Sequence, residues 1–285
     1  MQVRPSLNVE TAAQALAQWW ELAGLEPFDL GPAQRARTLA IQQQKSVEAP
    51  PPEAKTTQAR VTNAKKPADA LAEAERLAKS CSSLDALYKA LESFDGCGLK
   101  ANARTTVFAD GRPDAEIMVI GETAVREDDE VGKPFQGPEG DLLTKMLASI
   151  GLDRQHDCYL TCLIPWRPPG NRNPTTEEIA LCRPFLVRHI ELTAPKALLM
   201  IGGLTAQSLL NTSDGIMKLR TRSFDYGLPP EGAGQKAYAQ CLLSPAYLLN
   251  RPRDKALAWQ DLLRFEQKIS ALGVARHGRN GAKGT

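Results

Sequence analysis

The strongest constraint on this chain is a four-residue run without a polar side chain, Ile117-Met118-Val119-Ile120, closed by Gly121. A strand apolar on both faces is buried on both faces, which is the habit of a parallel sheet. Similar short runs recur at Cys158 to Ile164, Ala197 to Ile201 and Gln240 to Leu243. The stretches between them carry helical signals. Leu142 to Leu152 has helical spacing and is closed by Gly151. Thr175, with Glu178 three residues on, forms a capping box for a helix running to about Leu192. Leu204 to Leu210 follows Gly202-Gly203, and the last helix is expected over Arg253 to Ile269. Alternation of this kind predicts an α/β fold with a parallel sheet and helices on both faces.

The rest of the chain divides by composition. Residues 1–41 hold an amphipathic helix over 6–24, with Ser6 or Asn8 as cap and Trp19 and Trp20 as anchors. That helix either docks a partner or packs back onto the main domain. Residues 42–67 are rich in Gln, Lys, Thr, Ala and Pro and read as a disordered linker. The main domain is expected over 68–270, opening with Leu71, Leu77, Leu84, Leu87 and Leu91 at helical spacing, and 271–285 is expected to be a disordered basic tail. No apolar run approaches the ~20 residues a bilayer needs, and Met1 to Pro5 lacks the layout of a signal peptide, so the expectation is a soluble cytoplasmic protein without a membrane partner. Lys+Arg 35 against Asp+Glu 33 leaves a formal +2 in 285 residues, so any basic surface must be local. The six cysteines, at 81, 97, 158, 162, 182 and 241, include no CxxC pair and point to buried free thiols, and the three histidines add little to a metal site.

Ligands of such folds bind at the carboxyl ends of the strands, which directs attention to the loops there. Gly121 to Glu130 carries five carboxylates in ten residues and neither GxGxxG nor GxxxxGK[ST], so it is no phosphate cradle. It is either a solvated acidic turn or a place where Glu122, Asp128 or Asp129 activates water for glycosidic hydrolysis. Phe135, between Pro134 and the Gln136-Gly137 turn, covers a planar ligand or plugs the core. Trp166 to Pro174 is rigid, basic and free of acids, suited to phosphates or simply solvated. Leu248 and Leu249 beside Arg251 suit a wedge between base pairs or the first core turn of a helix.

Taken together, four ordered stretches resemble the uracil-DNA glycosylase superfamily, most nearly its type-4 branch. They are GETAVREDDEVGKPFQGPEGDLL (121–143), TCLIPWRPPGNRNPTTEEIALC (161–182), APKALLMIGGLTAQSLL (194–210) and SPAYLLNRPRDKALAWQDL (244–262), within roughly 88–268. The resemblance implies a three-layer α/β/α sandwich with a four-stranded parallel sheet. It also implies a pocket in which the glycosidic bond of a flipped-out uracil is hydrolysed, in single-stranded or duplex DNA. By resemblance Phe135 stacks on the base, Glu122 and Thr123 lie beside it, and Asp128, next to Asp129, stands where the family has a water-positioning Glu. Arg167, Asn171 and Arg172 match its RPPxNR loop, and Leu248 with Leu249, followed by Arg251, match the loop that enters the duplex.

Departures from the family pattern matter for mechanism. Thr123-Ala124-Val125 replaces the Pro- and Gly-containing turn of GEAPG, Cys162 replaces the Asn that recognises uracil, and Ser244 replaces the His that contacts the leaving base. A thiol is a poor substitute for a bidentate amide, and a hydroxyl brings no imidazole charge. Type-4 enzymes hold an iron-sulfur cluster on four cysteines. Here Phe94 and Trp166 take two of those positions and only Cys97 and Cys182 remain, so no cofactor is expected. The expectation is a monomeric base-excision glycosylase of weak or altered activity, the alternative a catalytically inactive DNA- or partner-binding module. A small-molecule hydrolase on the same scaffold ranks last, because the loops offer no nucleophile paired with a base.

Overall fold

The computed structural model describes residues 67–228 and 236–277. The helix expected over 6–24 and the linker over 42–67 lie outside the described residues, except for Pro67, which begins the first helix. α1 (Pro67–Ser80) and α2 (Leu84–Ser93) realise the leucine spacing read in this region. They separate at Ser83, whose backbone is extended and whose side-chain Oγ accepts the Ala86 N–H and caps α2.

Six strands form one sheet among the described residues: β1 (Asp110–Gly111), β2 (Ile117–Thr123), β3 (Cys158–Ile164), β4 (Ala197–Ile201), β5 (Ser223–Gly227) and β6 (Lys236–Leu242), in the order β1-β3-β2-β4-β6-β5. The inner four are parallel, as the apolar runs predicted. The expected count of four is corrected by an antiparallel strand at each edge, β1 on β3 and β5 on β6. Ile117 pairs with both Cys158 and Ala197, and Ala197 with Tyr238, so the four strands start in line. Their carboxyl ends therefore open on one crevice, with Thr123 opposite Ile164 and Ile201 opposite Leu242.

Between and after the strands run α3 (Arg126–Val131), α4 (Gly137–Ser149), α5 (Thr176–Thr193), α6 (Gly203–Leu210), α7 (Ile216–Leu219), α8 (Pro245–Asn250) and α9 (Lys255–Ala271). Met118 and Ile120 share one core with α1, α2 and α5. Ile117 and Val119 point to the other face, as alternation requires, where α4 and α9 bury Leu143, Met146, Leu147, Leu262, Phe265 and Ile269. The capping box at α5 is present: Thr175 Oγ1 accepts the Glu178 N–H at 3.2 Å and Glu178 Oε2 accepts the Thr175 N–H at 2.7 Å.

Two further expectations are corrected. The acidic stretch read as a loop contains the helix α3, because its glutamates and aspartates fall in a first turn that favours negative charge. Residues 271–277, assigned to a disordered tail, fold back onto the domain. Val274 is buried, Arg276 Nη1 donates to Glu266 Oε1 at 3.1 Å, and the His277 N–H donates to Asp157 Oδ1 at 2.6 Å. A backbone satisfied in this way has a fixed path. Asp261 of α9 is fully buried and holds Arg220, just past α7, through two hydrogen bonds of 2.7 and 3.0 Å.

Candidate functional site

A pocket of about 270 Å³ opens where the parallel strands end. β2 supplies Glu122 and Thr123, β3 Cys162, β4 Ile201, and the turn after β6 Ser244. One side is closed by Asp128, Phe135, Gln136 and Glu139, and Asn171 reaches in from the loop after β3. Six residues predicted from sequence for a catalytic or base-binding role therefore meet here: Glu122, Thr123, Asp128, Phe135, Cys162 and Ser244.

Phe135 is held in an unusual way. Its φ is +57°, a region that bulky side chains rarely adopt, yet the ring is buried against Gly121. A Cβ on Gly121 would come within 2.7 Å of the ring's Cζ, so the residue beneath it must be glycine. The backbone on either side is fastened from outside. Arg154 donates to the carbonyls of Pro134 and Phe135, both at 2.8 Å, and Asp128 Oδ1 accepts the Gln136 N–H at 2.6 Å. α4 approaches so closely that a Cβ on Gly140 would strike the Phe135 carbonyl oxygen.

The three carboxylates of the pocket share one electrostatic condition. Burial pushes Asp128 up to about 6, against the hydrogen bonds it accepts from the backbone of Gln136, Val125 and Phe135. Burial likewise raises Glu122, opposed by the N–H groups of Leu204 and Gly203 at the start of α6. Glu122 Oε1 accepts from Leu204 at 2.8 Å, and a Cβ on Gly202, at φ +91°, would overlap its carboxyl carbon. Glu139 is raised by burial and then by the charges of Asp128, Glu127 and Glu122. Cys162 is raised by burial and by the same pocket carboxylates, so it is a neutral thiol. The pocket thus concentrates negative charge in a partly dry space, suited to stabilising a cation that forms beside it.

The altered turn folds without strain. Val125 lies at φ −102°, where a β-branched side chain is comfortable, and its N–H donates to Asp128 Oδ2 at 3.2 Å. Ser244 caps α8 by accepting the Tyr247 N–H at 3.3 Å.

Other predicted residues are placed elsewhere. Asp129 does not line the pocket; its Oδ1 accepts the N–H groups of Arg104 and Thr105 at 2.8 and 3.0 Å and ties down that segment. Arg172 gives its fork to Glu178, with contacts of 2.8 and 2.6 Å, whereas Arg167 donates through Nε to Asn171 Oδ1 at 2.7 Å and positions it. The apolar pair divides: Leu248 is fully buried and belongs to the core, while Leu249 is 41 % exposed on α8. Arg251 is exposed and lies over the Tyr247 ring, 5.3 Å from its centroid.

Phe94 and Trp166, which the resemblance sets at two ligand positions of the type-4 branch's four-thiolate cluster, are buried in the core, and no group of three or more His, Cys, Asp or Glu side chains able to hold a metal occurs among the described residues. Cys97 and Cys182 are close enough to share a hydrogen bond, which lowers the first and raises the second. No described helix is long and apolar enough to cross a membrane.

Sequence reasoning missed Gln136, Glu139 and Arg154. The first two follow Phe135 at the start of a helix, a position from which a polar side chain can reach a strand-end crevice. Arg154 carries no local signal, because its partners lie about twenty residues upstream.

The uracil DNA glycosylase superfamily model matches residues 108–263. A type-4 uracil-DNA glycosylase of Archaeoglobus fulgidus is 37% identical over 171 residues, covering 60% of this chain and 85% of the relative. That of Thermotoga maritima is 32% identical, covering 62% and 90%, and that of Saccharolobus solfataricus 30% identical, covering 67% and 88%. The family model spans every strand that lines the pocket, each relative is covered over most of its length, and the chain belongs to the uracil DNA glycosylase superfamily.

Proposed function

We propose that this protein is a base-excision DNA glycosylase that works without an iron-sulfur cluster and acts weakly, or with altered preference, on uracil. The observation that carries this reading is the meeting of Phe135 with Glu122 and Asp128 in one pocket at the strand ends. A flipped base stacks on Phe135, water adds to the sugar C1′, and the C1′–N bond breaks with its electron pair leaving on the base. The base then takes up a proton released by the water. The sugar is cationic in transit, and the buried carboxylates oppose that charge. Asp128, fixed by three backbone N–H groups, is oriented for the attacking water. Arg167 and Asn171 face the phosphates, and Leu249 with Arg251 enters the duplex.

The weakness follows from the donors that are missing. Each donor aimed at the transition state is worth on the order of 100-fold in rate, and neither the Cys162 thiol nor the Ser244 hydroxyl replaces an amide or imidazole. The same two residues favour the second reading, a DNA-binding module without catalysis. Labelled single-stranded and duplex oligonucleotides carrying uracil, hypoxanthine or xanthine separate them. Base release by the wild type that an Asp128→Ala, Phe135→Ala double variant lacks is the expected result. Equal silence of both proteins on every base, with DNA still bound, establishes the second reading.

A further inference from the structure

Glu139 has lost the partner that its position normally provides. It is the third residue of α4, where a glutamate commonly folds back onto the backbone N–H of the cap residue. Here the cap is Gln136, and its N–H is already held by Asp128 at 2.6 Å. Among the described residues the Glu139 carboxylate makes no hydrogen bond or ion pair, although it is half-buried and lines the pocket. The neighbouring acceptors are engaged. Asp128 holds Gln136 and Val125, and Glu122 holds Leu204. The Gln136 amide donates to the Pro134 carbonyl at 3.1 Å. Glu139 is therefore the carboxylate left with both oxygens for a ligand, and its charge is felt at Cys162, the neutral thiol on the facing strand.

Resting on the glycosylase reading of this pocket, we infer that Glu139 reads the hydrogen-bonding edge of the bound base and selects against uracil. An ionised carboxylate only accepts hydrogen bonds. It pairs well with a ring N–H, but any carbonyl beside that N–H faces a carboxylate oxygen and is repelled. Uracil flanks its N3–H with two carbonyls. Hypoxanthine flanks its N1–H with one carbonyl and one C–H, so it loses half of that repulsion. The pocket thus favours a base whose ring N–H has at most one neighbouring carbonyl. An amide at position 139 offers an acceptor beside a donor, which matches the N–H and one carbonyl of uracil, and Glu139→Gln should relax the discrimination.

The test compares the wild type with Glu139→Gln and Glu139→Ala on otherwise identical oligonucleotides carrying uracil or hypoxanthine. Single-turnover base release and thermal unfolding are both recorded. The expected wild-type result is faster release of hypoxanthine than of uracil. Glu139→Gln should move that ratio toward uracil by about tenfold or more, the effect of one well-made or repelled polar contact. Glu139→Ala should lose the preference without recovering uracil release. A ratio that stays within about twofold in Glu139→Gln, with release and unfolding temperature retained, overturns the assignment of Glu139 and leaves the glycosylase reading standing. Absence of release from every protein on both bases overturns the assignment, and the same silence on xanthine overturns the glycosylase reading with it.

Discussion

Arg154→Met removes a guanidinium whose terminal nitrogens hold the carbonyls of Pro134 and Phe135 at 2.8 Å and meet Asp110 at 3.1 Å. Hydrogen bonds from a charged donor contribute about 1.5–3 kcal/mol each. Against them stands the left-handed backbone of Phe135, which costs about 1–3 kcal/mol and is recovered if the loop relaxes. Asp110 keeps Lys133 and Gln155, at 3.1 and 3.2 Å, so no buried acid is stranded. The net loss is therefore about 2–4 kcal/mol, a fall in Tm on the order of 10 °C for a domain of this size. The loop should reopen with Phe135 at negative φ and its ring off Gly121. Base release should then fall at least tenfold, mostly in kcat, since misplacing the stacking ring disturbs orientation more than binding. Denaturant unfolding and single-turnover release measure the two effects. A cycle isolates the strain: glycine adopts positive φ freely, so in a Phe135→Gly background the loss of Arg154 should cost 1–3 kcal/mol more than in the wild type, because no strain is left to relieve. An Arg154→Met protein with unchanged Tm and unchanged release would refute the whole account of how Phe135 is held.

Gly202→Ala drives a methyl group into the Glu122 carboxyl carbon at a backbone φ of +91°, and should either destabilise the protein by several kcal/mol or drive Glu122 from the start of α6, as denaturant melts and a structure of the variant will show. Leu248→Ala should cost about 2–5 kcal/mol, whereas Leu249→Ala should leave the unfolding midpoint unchanged and slow release from duplex more than from single-stranded DNA. Asp261→Ala strands the buried Arg220 and should cost about 3–5 kcal/mol, read as a shifted urea midpoint. Asp128, pushed by burial from 3.8 to about 6, binds its proton more tightly folded than unfolded. Its contribution to stability is therefore complete below pH 3.8 and lost as pH rises through about 6, a change of about 3 kcal/mol. Urea titrations across pH 4 to 7.5 should show the wild type losing that amount relative to Asp128→Asn, and parallel curves for the two proteins would contradict it.

The parallel centre of the fold was legible because strands buried on both faces have to be apolar throughout, and the α5 cap because both its partners, Thr175 and Glu178, lie within one turn. The edges were not. β1 has only two residues, too few for any period, and β5 is a short half-exposed alternation that composition alone does not separate from a loop. Within the site, Glu122, Thr123, Asp128, Phe135, Cys162 and Ser244 were legible from the strand ends, whereas Gln136 and Glu139, which line the same pocket, were not. The residues that hold them did not announce themselves. Gly202 is required by a carboxylate eighty positions upstream, and Arg154 by carbonyls about twenty positions upstream, so only the folded chain reveals either requirement.

One physical cause accounts for the two pairs that the sequence joined and the structure parted. Asp128 and Asp129 sit side by side on α3, and Leu248 and Leu249 side by side on α8. Consecutive residues of a helix diverge by about 100°, so neighbours in sequence face different surroundings. Asp128 turns to the pocket while Asp129 turns to the Arg104 and Thr105 N–H groups, and Leu248 turns inward while Leu249 turns out. Reading the acidic segment as a loop hid this division at 128 and 129, and at 248 and 249 the wedge and the helix turn were each read for the pair as a whole. Reading each segment as a helix assigns chemistry to one member of each pair and stability to the other, which is why substitutions at adjacent positions are expected to separate catalysis at 128 from anchoring at 129, and DNA contact at 249 from core packing at 248.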